Sequence, residues 1–272
     1  MNGPVEVTMP SVVVRRTHPS PPNAVAASLA FVWRGFLKVK HVPEQIADVI
    51  LIPVLFTLVF TYLFGGALAG STTEYLQFLL PGTLVMTVLL LTVYTGVGLN
   101  TDVTTGAFDR FRSLPIWRPA PIVGALLGDV FRYLLASALV VGLGLAMGFR
   151  PDGGAVGMLA AVALILLFAF SLSWVWTAVA LLVRTPHTVN VVGLVFLFPL
   201  TFTSNAFVDP RTMPGWLQTF TDLNPVSHLV TAARDLIHGT SAVEEVGWVL
   251  GACVIFIAIF APITGHLYRR KN

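Results

Sequence analysis

Residues 76–99, LQFLLPGTLVMTVLLLTVYTGVGL, carry no charge, whereas residues 101–115, TDVTTGAFDRFRSLP, carry four charged side chains. The first stretch has the length that a helix needs to cross a hydrocarbon core, about 20 residues. The second opens a polar interruption before the next apolar run. Read as a helix, it places Val103, Ala107, Phe108, Phe111 and Leu114 along one side, with Asp102, Asp109, Arg110 and Arg112 around much of the rest. Thr101 is positioned to cap its start and Pro115 to stop it. A membrane span followed by such a segment offers a handle to a cytosolic partner. A solvated connecting loop is the plainer alternative.

Working outward, further apolar runs occupy residues 48–69, 124–149, 156–183, 188–207 and 246–268. With 76–99 they make six, and the expected fold is an all-α integral membrane protein of six transmembrane helices. Pro53, Pro81 and Pro199 fall inside these runs, where neighbouring helices can re-satisfy the backbone. The third run carries Asp129 and Arg132 in its first turns. A charge at the bilayer centre costs roughly 2.5–3.5 kcal/mol on insertion scales, so the pair is expected at the interface, with the span beginning nearer Tyr133. Composition agrees with a membrane class: of 272 residues 56% are hydrophobic and 11% charged, against about 25% charged in soluble domains. The sequence pI is near 9.3, but a net charge of +3 is too sparse for a nucleic-acid-binding face.

The basic residues set the orientation. Arg15, Arg16, Arg34, Lys38 and Lys40 precede the first run, and Arg110, Arg112, Arg118 and Arg132 follow the second. Arg184 lies between the fourth and fifth, and Arg269, Arg270 and Lys271 form the tail. Lys and Arg concentrate on the cytoplasmic side, so both termini are expected inside. Residues 1–23, with Pro19, Pro21 and Pro22, read as a flexible tail, and Val12–Val14 is too short for a signal-peptide core. Residues 24–41 have helical spacing: Val25, Leu29, Val32, Phe36 and Val39 face one way and Arg34, Lys38 and His41 another. That suits an amphipathic helix on the inner leaflet with Trp33 at headgroup depth; a solvated leader is the alternative. Outside, residues 208–245 hold two short helices, one starting at Met213-Pro214 and one over Val226–Ile237, separated by Asn224-Pro225 and stopped by Gly239. Val226, Leu229, Val230, Ala233 and Ile237 share a face of the second. Too short to span, the two would lie at or re-enter the outer leaflet, as a cap over an exit or as a mere surface connection.

Catalytic motifs are missing. None of Lys38, Lys40 and Lys271 follows a glycine, so the phosphate-cradling loop ending in Gly-Lys-Ser/Thr is absent. The six histidines contain no pair at metal-ligand spacing, and there is no Gly-x-Ser-x-Gly elbow. No cofactor or metal is expected on this chain. Cys253 is the single cysteine, a small packing residue. Ser171, Ser173, Thr177, Trp174 and Trp176 could suggest an intramembrane hydrolase or a substrate wall, but hydroxyls inside bundles usually bond to backbone or neighbouring helices. An ion-coupled carrier is disfavoured because every run except the third lacks a central ionisable residue, and no internal repeat is evident. Gly66-x3-Gly70, Gly124-x3-Gly128 and Gly144-x3-Gly148 are candidates for close helix approach or dimerisation.

Two motifs carry a resemblance. Asp102-x3-Gly106-x2-Asp109-Arg110-x-Arg112-Ser113-Leu114-Pro115 looks like the signature after the second span of type-2 ABC exporter permeases, particularly the daunorubicin-resistance-like group. Met213-Pro214-Gly215-Trp216-Leu217-Gln218, then Asn224-Pro225 and Arg234-Asp235-Leu236, is similar to that family's segment before its last span. The likeness covers residues 24 to 268. One departure is Asp102, where many relatives have Glu.

The resemblance implies a permease of the bacterial plasma membrane, acting in efflux or antibiotic resistance. Two copies would form the pathway, each docked to a separate ATPase subunit that binds ATP and Mg and does the hydrolysis. Residues 100–115 would then be the coupling helix, with Asp102, Gly106, Phe108, Asp109, Arg110 and Arg112 at the docking surface and Arg34 and Lys38 beside it. An apolar, aromatic pathway suits a lipophilic drug, lipid or glycolipid. Met86, Tyr94, Trp174, Phe196, Phe198, Phe202 and Asn205 are its candidate wall.

Overall fold

A computed structural model describes Leu51 and residues 53–106 and 120–270. The 1–23 tail, the 24–41 helix with Arg34 and Lys38, and Phe108, Asp109, Arg110 and Arg112 lie outside the described residues. Every regular element that is described is helical. Helix α1 runs from Pro53 through a π-helical stretch, Phe60–Phe64, into a last turn at Gly65–Ala69. Gly70, with φ 74°, turns the chain into α2, Thr72–Thr104, whose start is capped by the Ser71 hydroxyl accepting from Glu74 N–H at 3.1 Å. Helices α3 (Ala120–Ala146), α4 (Gly154–Leu182) and α5 (Pro186–Phe202) follow. A 3-10 turn at Pro210–Thr212 leads to α6 (Gly215–Leu223), α7 (Pro225–His238) and α8 (Val243–Arg270).

The described residues of the six apolar runs fall for the most part on α1, α2, α3, α4, α5 and α8. Helices α2, α3, α4 and α8 are long and apolar enough to cross a membrane; α5 and the described part of α1 are shorter. Helix α2 is the buried axis of the bundle and α8 the most exposed of the four long helices. Apolar side chains on α8 such as Val254 and Ile255 point away from the protein, as expected where the surrounding solvent is hydrocarbon.

The fifth run was expected to span to residue 207, but α5 stops at Phe202. Hydroxyls and amides explain the stop. Thr203 N–H and its hydroxyl both donate to Pro199 O, and Ser204 Oγ donates to Thr201 O. Two of the final carbonyls find partners outside the helix: Leu200 O accepts from Asn224 Nδ2 at 2.7 Å, and Thr203 O from Thr221 Oγ1 at 2.8 Å. With its orphan acceptors met, the chain leaves the helix and folds across α2. There Ala206 packs so closely on Gly82 that no side chain fits between them.

The α6–α7 pair follows the expected breakpoints. Asn224 ends α6, caps α7 through Oδ1 accepting from Val226 N–H at 2.9 Å, and Gly239 closes α7 at φ 73°. All five residues assigned to the apolar face of α7 are buried. That face sinks against α2, α4 and α8, with Gly157 of α4 allowing the Leu236 carbonyl to touch its backbone and Gly153 N–H donating to Ile237 O at 2.8 Å. Within this chain, a Cβ at Gly66, Gly70 or Gly148 would meet nothing, and one at Gly144 would meet only Leu80.

Two ends of the bundle are distinguished by their contacts. At one, the start of α2 meets Gly148, Arg150 and α7. At the other, the finish of α2 meets Val183, and Leu267 and Tyr268 of α8 pack on the Leu99–Ile122–Leu181 cluster. Asp102, Arg184 and Arg269 thus share one end, opposite α6 and α7.

Candidate functional site

The second of these ends carries Asp102. A separate helix capped by Thr101 was expected here, but α2 runs without a break through Thr104. Nothing between Leu99 and Thr105 breaks a helix. The threonines, instead of capping, turn back on their own turns: Thr101 Oγ1 donates to Val97 O at 2.8 Å and Thr104 Oγ1 to Asn100 O at 3.0 Å. Gly106, at φ 71°, is where the chain leaves. Asp102 therefore rides on the last turn of the buried axis. One turn earlier, Asn100 Nδ2 donates to Ala180 O at 2.7 Å and Val183 O at 3.0 Å, fastening the end of α2 to the end of α4.

Halfway along, Asp129 and Arg132 form an ion pair of 3.0 Å. The pair was expected at the start of the span; both residues lie about three turns into α3, opposite the middle of α2. Arg132 is buried and donates to Leu91 O at 3.1 Å, with its guanidinium 5.6 Å from the Tyr94 ring and 5.8 Å from Tyr133. A carboxylate, a carbonyl and two ring faces together replace water. Beside them Tyr133 Oη bridges Thr95 Oγ1 at 2.8 Å and Ser173 Oγ at 3.0 Å, and Trp176 Nε1 donates to Thr92 Oγ1 at 2.8 Å. This polar core joins α2, α3 and α4.

Tyr94 faces the other way too, into a cavity of about 220 Å³ between α1, α2 and α5, where Pro53, Thr87, Asn190 and Leu194 also line the wall. Beyond it stands a stack of rings. Phe198 and Phe202 lie 4.1 Å apart, Phe202 and Phe207 5.2 Å, and Phe207 and Phe60 of α1 4.9 Å. Four of the candidate wall residues, Tyr94, Phe198, Phe202 and Asn205, thus follow one line along the α2–α5 side. Met86 is instead packed in the core, Phe196 is exposed, and Trp174 stands apart against Phe170.

At the far end Arg234 of α7 closes the line. Its guanidinium lies 4.1 Å over the Phe78 ring and donates to Phe78 O at 3.2 Å and Asn205 O at 3.1 Å. Asn205 Nδ2 in turn donates to Thr231 Oγ1 at 2.7 Å. Burial pulls Arg234 down to about 10, a fall opposed by Asp235 and Asp209, which still leaves it charged at neutral pH. One turn on, His238 Nε2 lies 3.4 Å from Gln77 O, the carbonyl that Pro81 cannot serve because it has no N–H. The sequence marks Arg234 only as part of the Arg234-Asp235-Leu236 motif, with no role assigned to it. The signal was a cation beside an apolar helix face, one turn from a histidine.

Among the described residues no group of His, Cys, Asp and Glu could hold a metal ion. Ser171 and Ser173, candidate nucleophiles of a hydrolase, donate to Leu167 O and Ala169 O.

Known proteins match nearly the whole chain. It is 49% identical over 269 residues, 99% of its length and 95% of the relative's, to the daunorubicin resistance ABC transporter permease protein DrrB1 of Streptomyces coeruleorubidus. It is 24% identical over 212 residues, 76% of each chain, to a probable doxorubicin resistance ABC transporter permease protein DrrC of Mycobacterium tuberculosis. With the inner membrane transport permease YadH of Escherichia coli it shares 27% over 233 residues, 81% of this chain and 87% of that one. The ABC-2 type transporter model matches residues 27–238, and the chain belongs to that family of membrane permeases.

Proposed function

We propose that this chain is the membrane-spanning subunit of an ATP-driven exporter that moves a lipophilic drug, lipid or glycolipid outward across the bacterial plasma membrane. Six spans with both termini inside, two copies around one pathway, and a separate ATPase docked on residues 100–115 and the 24–41 helix complete the reading. The observation that carries it is the continuity of α2. One 33-residue rod bears Asp102 at one end, the Tyr94 cavity at its middle and the Arg234 clasp at the other. A push on the Asp102 end by a nucleotide-driven partner would travel along one continuous helix past the Tyr94 cavity. Likeness over nearly the full length to a daunorubicin resistance permease favours a drug as cargo, as does the aromatic lining.

The paired Asp129 and Arg132 supply the one mid-helix charge that an ion-coupled carrier would need. The two are held to each other at 3.0 Å, with Arg132 also bound to the Leu91 carbonyl, and the pair reads better as structure. The test is reconstitution with the cognate ATPase. Phe108→Asp and Arg110→Glu should each abolish copurification and ATP-dependent efflux while leaving the thermal unfolding of the permease unchanged. Uphill export by the wild-type chain alone, or efflux stopped by a protonophore yet indifferent to ATP, overturns the proposal.

A further inference from the structure

On the α6–α7 end an open groove of about 610 Å³ lies between the start of α7 and the first part of α8, from Glu244 to Phe256. Its floor is made by absence: Gly247 and Gly251, one turn apart, would each meet nothing within 4 Å if given a Cβ. Ala252, Ile255 and Phe256 continue the apolar wall, and Leu223 and Pro225 form the opposite one. The rim differs in character. Glu244 lines it, exposed, and has no ion-pair partner among the described residues. Glu245 sits behind, 2.6 Å from His228 Nδ1, while His228 Nε2 donates to Asp222 O at 2.9 Å. The His228 ring stacks on the Trp248 indole at 5.2 Å and 9°. Even so, Trp248 remains 62% exposed, an uncovered aromatic surface at the mouth. No Lys or Arg lines the groove.

We propose that this groove is an outer binding site for an amphipathic amine, with the hydrophobic body over Gly247 and Gly251 and the ammonium between Glu244 and the Trp248 ring. Charge decides the occupant. An apolar slot alone would accept any acyl chain, but an unpaired carboxylate beside an exposed indole favours a cation and repels an anionic headgroup. The glycines leave the floor open where almost any other residue would fill it. Binding here needs no nucleotide and does not depend on transport; only its role as acceptor for exported cargo rests on the reading above.

The test uses the full chain in phosphatidylcholine nanodiscs, with Trp248 emission isolated by subtracting a Trp248→Phe variant. Bromododecylammonium and bromododecanoate, the same tail under opposite heads, are titrated as quenchers. The ammonium should quench saturably at about tenfold lower concentration than the carboxylate. Glu244→Gln should erase that preference, and Gly251→Leu should remove saturable quenching by both. Should the Leu variant fold poorly, Gly247→Ala is expected to weaken quenching in the same order. Equal quenching by both heads in the wild type overturns the proposal and leaves an ordinary lipid slot. Saturable quenching that survives Gly251→Leu places the tail elsewhere and overturns it too.

Discussion

At the scale of single residues, the Asp129–Arg132 pair shows how a costly charge becomes tolerable. Arg132 has a carboxylate at 3.0 Å, the Leu91 carbonyl at 3.1 Å and two tyrosine rings within 6 Å. Breaking one side of a buried pair costs about 3–5 kcal/mol, whereas replacing both partners with uncharged groups of similar size is often neutral. Arg132→Met alone should therefore lower the unfolding temperature of the detergent-solubilised chain sharply, and adding Asp129→Asn should restore most of the loss. A double variant no more stable than Arg132→Met would show that the Leu91 contact and the ring faces, not the ion pair, hold this site. The sequence could not show how the pair is compensated because insertion cost is a property of a lone charge. The compensating groups come from residues 91, 94 and 133, and two of those are supplied by another helix. Tyr133, bridging Thr95 and Ser173, was equally hidden, since a tyrosine in an apolar run carries no mark of what its hydroxyl will meet.

At the scale of elements, what was legible depended on whether a boundary is written in local chemistry. Helix α7 was readable in full: Asn224-Pro225 opens it, Gly239 closes it, and its buried face recurs at helical period. The end of α5 was not, because Ala206, Phe207 and Val208 are as apolar as the helix before them. Thr203 and Ser204 bond back into the helix, but it is the partners Thr221 and Asn224 that take up its last carbonyls. The sequence also left out of sight that α7 is clasped to α2. Arg234 and His238 reach the carbonyls of Phe78 and Gln77 near Pro81. Arg234→Met should leave the carbonyls of Phe78 and Asn205 without that donor, destabilising the contact by about 1–3 kcal/mol. Hydrogen exchange should then speed selectively in residues 225–238. Arg234→Lys should recover little, since one ammonium cannot serve two carbonyls and a ring face with the geometry of the guanidinium. Uniform acceleration across the bundle would instead mean that α7 is not a separable unit. Gly157→Val gives an independent check on the opposite face of α7, where a Cβ has no room against the Leu236 carbonyl.

Across the whole molecule, the two ends of α2 are fastened differently, and that difference predicts separable failures. Asn100 ties the Asp102 end to the end of α4 through two carbonyls, so a displacement delivered there moves both helices together. Arg234 ties the opposite end to α7 and the α5–α6 link. If α2 transmits the stroke of an ATPase, Asn100→Ala should let α2 move without α4. ATP hydrolysis by the reconstituted complex would continue, with substrate moved per ATP falling several-fold. Arg234→Met should keep the stroke but loosen the far end, raising passive leak of a preloaded lipophilic substrate while hydrolysis is unchanged. Both quantities are measured in the same proteoliposomes, by counting phosphate released against substrate accumulated and by following efflux without nucleotide. An Asn100→Ala protein that unfolds normally and keeps the wild-type ratio would mean that α4 receives its motion by another route. The rigid-rod account would then fail even though the family assignment stood.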